Sequence, residues 1–157
     1  MCGGFLLSSS SSKYPIAYVE IRVFSHATED LGKVELAIQN ILPEILATEL
    51  TYTKTNCVGH HGNPIVLVEA KLTNRAALPP LLEKIGSSLS SLDKEELAAE
   101  IAQHVERQNL YLRFNKQSAL LGTIKLGHDD PIRFKIHFKN KTYEEIINLC
   151  KQAGLLP

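Results

Sequence analysis

One stretch of the chain, residues 132–139, alternates apolar and polar side chains without interruption. Its apolar positions are Ile132, Phe134, Ile136 and Phe138, and the positions between them are Arg133, Lys135, His137 and Lys139. Successive side chains of a β-strand point to opposite faces of the sheet, so the stretch predicts a strand with one buried and one basic face. Such a strand is typical of an antiparallel sheet that is covered on one side and open to water on the other.

Other segments predict the rest of the secondary structure. Alternation predicts strands at residues 14–25, 49–57, 64–72, 109–114 and 123–126, and the glycine-rich segment 59–63 predicts a hairpin turn between the second and third of them. Helical spacing of apolar residues predicts helices at 29–42 and 76–90, the first of them capped by Thr28. The residue pairs Asp93/Glu96 and Thr142/Glu145 predict capping boxes for two further helices, and Gly154 predicts the end of the last one. This order predicts an α+β fold, a mostly antiparallel sheet with helices packed on one face.

The length of 157 residues fits one domain better than two. We expect residues 14–157 to form a single α+β domain, and residues 1–13, with their run of five serines, to form a disordered extension. No apolar run approaches the roughly 20 residues of a membrane-spanning helix, so we expect no membrane partner. Three widely spaced cysteines are typical of a reducing compartment, and we expect a cytoplasmic protein.

The net charge of zero conceals an uneven distribution along the chain. Residues 1–106 carry 8 Lys/Arg against 13 Asp/Glu, whereas residues 107–141 carry 8 Lys/Arg against 2 Asp/Glu. Such an asymmetry indicates an anionic partner for the basic segment, most commonly a nucleic acid. A solvated basic face, balanced by an acidic face elsewhere, explains the charge equally well.

The sequence offers little for catalysis or metal binding. It contains no nucleophile elbow, no phosphate-binding loop and no dinucleotide fingerprint. Cys57, His60 and His61 lie close together in the sequence, but no second Cys/His cluster supplies the further ligands that zinc needs. We therefore expect no catalytic residue, no metal and no cofactor, and we interpret the two histidines as part of a structural turn.

The basic strands suggest a binding surface instead. Alternation places five cations on the polar side of the strands that we predict in this segment: Arg113, Lys125, Arg133, Lys135 and Lys139. Tyr111, and Tyr18 on the first strand, add aromatic rings to that side. Many RNA-binding domains use an open sheet of this kind, with cations that neutralise phosphates and rings on which unpaired bases stack.

Four segments carry a resemblance to a known family. They are SHATED at residues 25–30, GHHGNP at 59–64, YLRFNKQSA at 111–119 and DPI at 130–132. In this order and spacing they resemble a group of small archaeal RNA-binding proteins, also described as predicted exosome subunits. The resemblance implies a fold similar to that of the ribosomal protein that holds 5S rRNA. It also implies RNA contacts at Arg113, Lys116 and Gln117, and at His60 and Asn63 in the hairpin.

The sequence thus predicts a non-enzymatic RNA-binding protein, associated with an RNA-processing machine such as the exosome, or with the ribosome. The alternative is a protein-interaction module of a larger complex that does not contact RNA itself. A third hypothesis, an enzyme that uses Cys57, His60 and His61, has the least support. The sequence makes no prediction about oligomeric state.

Overall fold

The computed structural model describes residues 14–59 and 61–157. The six strands are β1 (Ile16–His26), β2 (Thr53–Val58), β3 (Pro64–Leu72), β4 (Val105–Glu106), β5 (Asn109–Phe114) and β6 (Ile132–Phe138). The helices are α1 (Leu31–Ile41), α2 (Glu44–Glu49), α3 (Leu78–Ser88), α4 (Ser91–Ala99), α5 (Ile101–His104), α6 (Lys116–Leu120) and α7 (Tyr143–Ala153). The predicted disordered extension, residues 1–13, lies outside the described residues, as does His60 of the hairpin. No helix in the described part has the length and apolar character needed to cross a membrane.

All six strands belong to one sheet, whose order is β2-β3-β1-β6-β5-β4. Each neighbouring pair of strands is antiparallel. The hairpin between β2 and β3 closes as predicted, because the amide of Gly59 donates to the carbonyl of Asn63 at 2.7 Å. The predicted α+β architecture with a mostly antiparallel sheet is therefore confirmed.

The period-two alternation decides which side of the sheet the helices cover. On β6, Ile132, Phe134 and Ile136 are at most 1% exposed, while Arg133 between the first two is exposed. The same alternation along β1, β3 and β5 gives one apolar face under the helices and one polar face, which we call the open face. A bulge in β1 between Ile16 and Tyr18 shifts the register there, so that Ile16 is buried and Ala17 is half-buried.

Two predicted helix caps are wrong by a few residues. Asp30, not Thr28, caps α1, since its side chain accepts from the amide of Gly32. Ser90, not Asp93, caps α4, and Asp93 is buried, where its carboxylate accepts from the amide of Leu126 at 3.1 Å. Asp93 thus accepts a hydrogen bond from a residue distant in the sequence and does not form the helix cap that the sequence indicates.

The last helix begins and ends as predicted. Thr142 and Glu145 form both bonds of the capping box, and Gly154 adopts the left-handed conformation that ends α7. Helix α7 packs closely against α3 at Gly86, where a Cβ atom would lie only 2.0 Å from the carbonyl oxygen of Ala153.

Two predicted strands differ in the structure. The first half of the predicted strand 49–57 is instead the end of α2 and a connecting segment, because Tyr52 packs on α1 and its hydroxyl donates to the carbonyl of Glu35 at 3.2 Å. Segment 123–126 forms no strand, only a single bridge between Phe114 and Leu126. The short helix α6 directly after β5 leaves no extended partner with which 123–126 could pair further.

Candidate nucleic-acid interface

The open face is organised in rows that run across the strands. One row places Arg22 of β1 opposite Arg133 of β6, which in turn lies opposite Arg113 of β5. We call these three residues the arginine row. Directly opposed side chains of neighbouring strands lie about 5 Å apart at Cβ, and like charges in that position destabilise a sheet. The arginine row is therefore a concentration of positive charge that sheet stability does not explain.

Little of this charge is neutralised within the protein. Arg22 pairs with Glu69 at 3.2 Å, on side chains that are 55% and 40% exposed. Arg113 and Arg133 are exposed and form no ion pair with any described residue. Two of the three guanidinium groups are thus available to an anion from solution.

A second row crosses the same strands two residues further along. It contains Lys71, Glu20, Lys135 and Tyr111 in that order. Lys135 donates to Glu20 at 3.5 Å. Partial burial acts to lower the pKa of Lys135, but Tyr18, Glu20 and Tyr111 around it outweigh that effect and raise the pKa above its ordinary value. Lys135 is therefore a cation at neutral pH and lies at the centre of this row.

Tyr18 is enclosed by its neighbours on the open face. Its ring is stacked on that of His137, with centroids 4.8 Å apart and planes inclined by 19°. The ammonium of Lys71 lies 4.4 Å from the Tyr18 centroid, a cation–π distance. Within residues 14–59 and 61–157, no ring is stacked on that of Tyr111. Tyr111 is therefore the predicted aromatic side chain that remains available for stacking.

The four segments that carry the family resemblance meet at one end of the sheet, which we call the loop end. Strands β1, β2 and β5 end there, whereas β3 and β6 begin there. Segments far apart in the sequence are thus brought together around His26, the last residue of β1. The antiparallel topology is the reason, because it collects alternate strand ends at the same edge.

Lys116 connects the loops at this end. Its Nζ atom donates to the carbonyl of Phe24 at 2.7 Å, to both carboxylate oxygens of Glu29 at 3.0 and 3.2 Å, and to Asp130 at 2.7 Å. The same Asp130 oxygen lies 3.1 Å from Nε2 of His26. The Lys116 side chain is only 12% exposed. Lys116 thus holds the loops of this end together, and its predicted RNA contact stays a prediction.

The loop end also contains the one described group of side chains with metal-ligating atoms close together. Ligand atoms of His26, Glu29 and Asp130 lie within 4.8 Å of one another. The ammonium of Lys116, however, already bonds both carboxylates. A divalent cation would have to displace this lysine, and the cluster is accordingly described as an internal ion-pair network.

The remaining predicted site residues are dispersed. Gln117 is exposed on α6, Lys125 and Lys139 are exposed outside the strands, and Asn63 is exposed at the hairpin. His60 lies outside the described residues, so its predicted RNA contact has no geometry to report. Cys57 is half-buried, and its thiol donates to the carbonyl of Thr55 at 3.7 Å. Of the predicted site residues, Arg113, Arg133, Lys135 and Tyr111 come together on the open face.

Sequence reasoning missed three participants of this surface: Arg22, Lys71 and Glu20. Alternation does place Arg22 and Glu20 on the polar side of β1. Their position beside Arg133 and Lys135 depends on the pairing of β1 with β6, which brings together residues more than a hundred positions apart. No local signal reports that pairing.

Comparisons with known proteins find a matching sequence family and related sequences. A sequence model of a family described as RNA binding matches residues 18–138. The RNA-binding protein PAB1135 of Pyrococcus abyssi is 34% identical over 124 residues, which cover 77% of this chain and 80% of the relative. The uncharacterized protein MJ0213 of Methanocaldococcus jannaschii is 31% identical over 125 residues, covering 77% of this chain and 83% of the relative.

Two solved structures from the DUF54 family have the same fold. Protein AF2318 of Archaeglobus fulgidus superposes with a TM-score of 0.73 at 27% identity, covering 88% of this chain and 99% of that one. Mth689 of Methanothermobacter thermautotrophicus superposes with a TM-score of 0.71 at 26% identity, covering 90% and 98%. With archaeal relatives in sequence and in structure, and with a family match over most of its length, the chain belongs to the family of proteins described as RNA binding, known structurally as DUF54.

Proposed function

We propose that the protein binds RNA through the open face of its sheet, without catalysing a reaction. The arginine row is the observation that carries this proposal. Three guanidinium groups directly opposed on neighbouring strands repel one another, and strands are about 4.8 Å apart, so the row spans roughly 10 Å. A phosphate backbone laid across β1, β6 and β5 offsets that repulsion, and guanidinium groups suit phosphate because they donate in a planar fork.

The surroundings of the row support the same conclusion. The arginine row and the second row together contain five cations, since Lys71 and Lys135 add to the three arginines. Two carboxylates, Glu20 and Glu69, lie beside them. Membership of an RNA-binding family supports RNA in preference to other polyanions. The description of the family as RNA binding supports the non-enzymatic part of the proposal.

The test is the salt dependence of RNA binding by single-residue variants. We expect log affinity for single-stranded RNA to fall linearly with log salt, with a slope of about −0.7 per phosphate contact. Arg133→Ala should weaken binding to all RNA sequences alike, and Arg133→Ala and Lys135→Ala should each reduce the slope by somewhat under one unit. Lys151→Ala, on the last helix, is the matched control and should change neither quantity.

The opposite outcome would favour a function in protein interaction over RNA binding. If Arg133→Ala and Lys135→Ala leave both affinity and slope untouched, the open face is merely solvated, and the function is that of a protein-interaction module. The proposal would then be wrong even though the fold and the family assignment stand.

We further propose that this RNA binding serves a larger machine, an exosome or a ribosome. Support comes from the resemblance of the four loop-end segments to proteins with that predicted role, a resemblance that also implies a fold similar to that of the ribosomal protein that holds 5S rRNA. Affinity purification from native cytoplasm, with and without ribonuclease, tests it. Recovery of neither exosomal nor ribosomal components under both conditions would refute this part alone.

A further inference from the structure

The open face contains a depression of about 300 Å³ beside the arginine row. Glu20 and Arg22 of β1, Arg133 and Lys135 of β6 and Tyr111 of β5 line it. It thus combines an aromatic ring, three cations and one carboxylate across three adjacent strands. We infer that this depression binds one unpaired guanine base of an RNA strand, an inference that rests on the proposed RNA binding and specifies its ligand.

Tyr111 supplies the stacking surface for that base. It is half-buried on β5, and no described aromatic ring is stacked on it, in contrast to Tyr18. A base inside a duplex cannot place its face on a side chain, whereas an unpaired base can. The ring therefore points to single-stranded RNA or a loop, and not to a double helix.

Glu20 is the group that a pure phosphate-binding surface does not explain. Its carboxylate lies between Lys71 and Lys135 in the second row, where it repels any phosphate that the cations attract. The same carboxylate is a hydrogen-bond acceptor for N–H groups at the edge of a base. Its place in the middle of a basic face is thus consistent with reading a base edge.

The pair of Glu20 and Lys135 distinguishes guanine from uracil. Two carboxylate oxygens lie beside one ammonium donor, with Glu20 Oε1 only 3.5 Å from Lys135 Nζ. The Watson–Crick edge of guanine offers two adjacent N–H donors next to the O6 acceptor, which is the complementary pattern. Uracil offers a single N–H donor between two acceptors, so it leaves one carboxylate oxygen unbonded. Arg133, which lines the depression, and Arg113 opposite it are then placed to bind the flanking phosphates.

The experiment compares a short labelled uridine tract with the same tract carrying one central guanosine, by fluorescence anisotropy at fixed salt. We expect the guanosine to tighten binding about tenfold, the discrimination of one good bidentate contact. The same guanosine paired in a hairpin stem should give no such gain. Tyr111→Ala should weaken binding of the guanosine tract about tenfold through lost stacking. Tyr143→Ala, an exposed tyrosine on α7, is the matched control.

Glu20→Gln gives the sharpest readout because its two expected effects have opposite signs. It should abolish the guanosine preference and at the same time tighten binding of the plain uridine tract, since a charge that repels phosphate is lost. If Glu20→Gln tightens both tracts equally, or if the guanosine gives no gain, the guanine site is refuted. The salt slope and its response to Arg133→Ala then still decide the proposed function separately.

Discussion

Lys116 is a predicted RNA contact that also lies in an internal ion-pair network, and its contribution to stability can be measured. Lys116→Met retains the aliphatic stem but removes the ammonium that bonds Phe24, Glu29 and Asp130. Two carboxylates and a backbone carbonyl then face one another without a shared donor. We expect the loop end of the sheet to be destabilised as a result.

The exposure of the network sets the magnitude. Losing one partner of a fully buried ion pair costs about 3–5 kcal/mol, whereas exposed pairs contribute about 0–1 kcal/mol. The side chains of Lys116, Glu29 and Asp130 are 12%, 29% and 42% exposed, so the network lies between these limits. We expect Lys116→Met to lower the free energy of unfolding by about 2–3 kcal/mol. For a chain of this size that corresponds to a fall in Tm of about 5–10 °C.

Urea denaturation followed by circular dichroism measures this change. Lys125→Met, an exposed lysine in the loop after α6, is the matched control and should stay within about 0.5 kcal/mol of the parent. Combining Lys116→Met with Glu29→Gln should cost at least about 1 kcal/mol less than the sum of the single changes, since both remove the same contact. If Lys116→Met leaves stability unchanged and weakens RNA binding, the structural role is wrong and the RNA contact implied by the resemblance is restored.

Three further outcomes follow from the packing. Phe134→Ala should lower the free energy of unfolding by about 3–5 kcal/mol, whereas Arg133→Ala at the adjacent position should change it by no more than about 0.5 kcal/mol. If urea denaturation shows equal losses of stability for the two variants, β6 does not have one buried and one exposed face. Gly86→Ala should destabilise the protein by about 1–3 kcal/mol despite the better helix propensity of alanine, because the new Cβ would overlap the backbone of α7; a raised Tm would refute that contact. Burial raises the pKa of the Cys150 thiol to about 12, so at neutral pH a thiol reagent should label half-buried Cys57 faster than Cys150, which should react only after unfolding. Equal labelling rates for Cys57 and Cys150 in the native protein would show that α7 separates readily from the rest of the fold.

The fold was predictable to the extent that its signals are local. The alternation of residues 132–139 predicts both the strand and its buried face, because neighbouring side chains of a strand point to opposite sides wherever the strand lies. Thr142 and Gly154 likewise mark the ends of α7 through contacts within one helical turn. Segment 123–126 alternates just as a strand does, yet it lacks an extended partner and forms a single bridge.

The site was predictable only in part. Arg113, Arg133, Lys135 and Tyr111 each follow from strand parity, and the structure places them on one face. The sequence alone could not show that Lys116 is bonded to Glu29 and Asp130. Glu29 lies 87 positions from Lys116 in the sequence and Asp130 lies 14 positions from it, so no local pattern reports these contacts.

The sequence by itself therefore determined what each strand presents to either side: apolar residues inward, and cations with Tyr111 outward. Only the tertiary structure decided which strands are neighbours and in what register. That register sets Arg22, Arg133 and Arg113 side by side, puts Glu20 against Lys135, and gathers the four resembling segments at the loop end. The physical reason is that side-chain direction follows from the local pleat of the backbone, whereas strand pairing is fixed by burial of the whole core and by hydrogen bonds between distant segments.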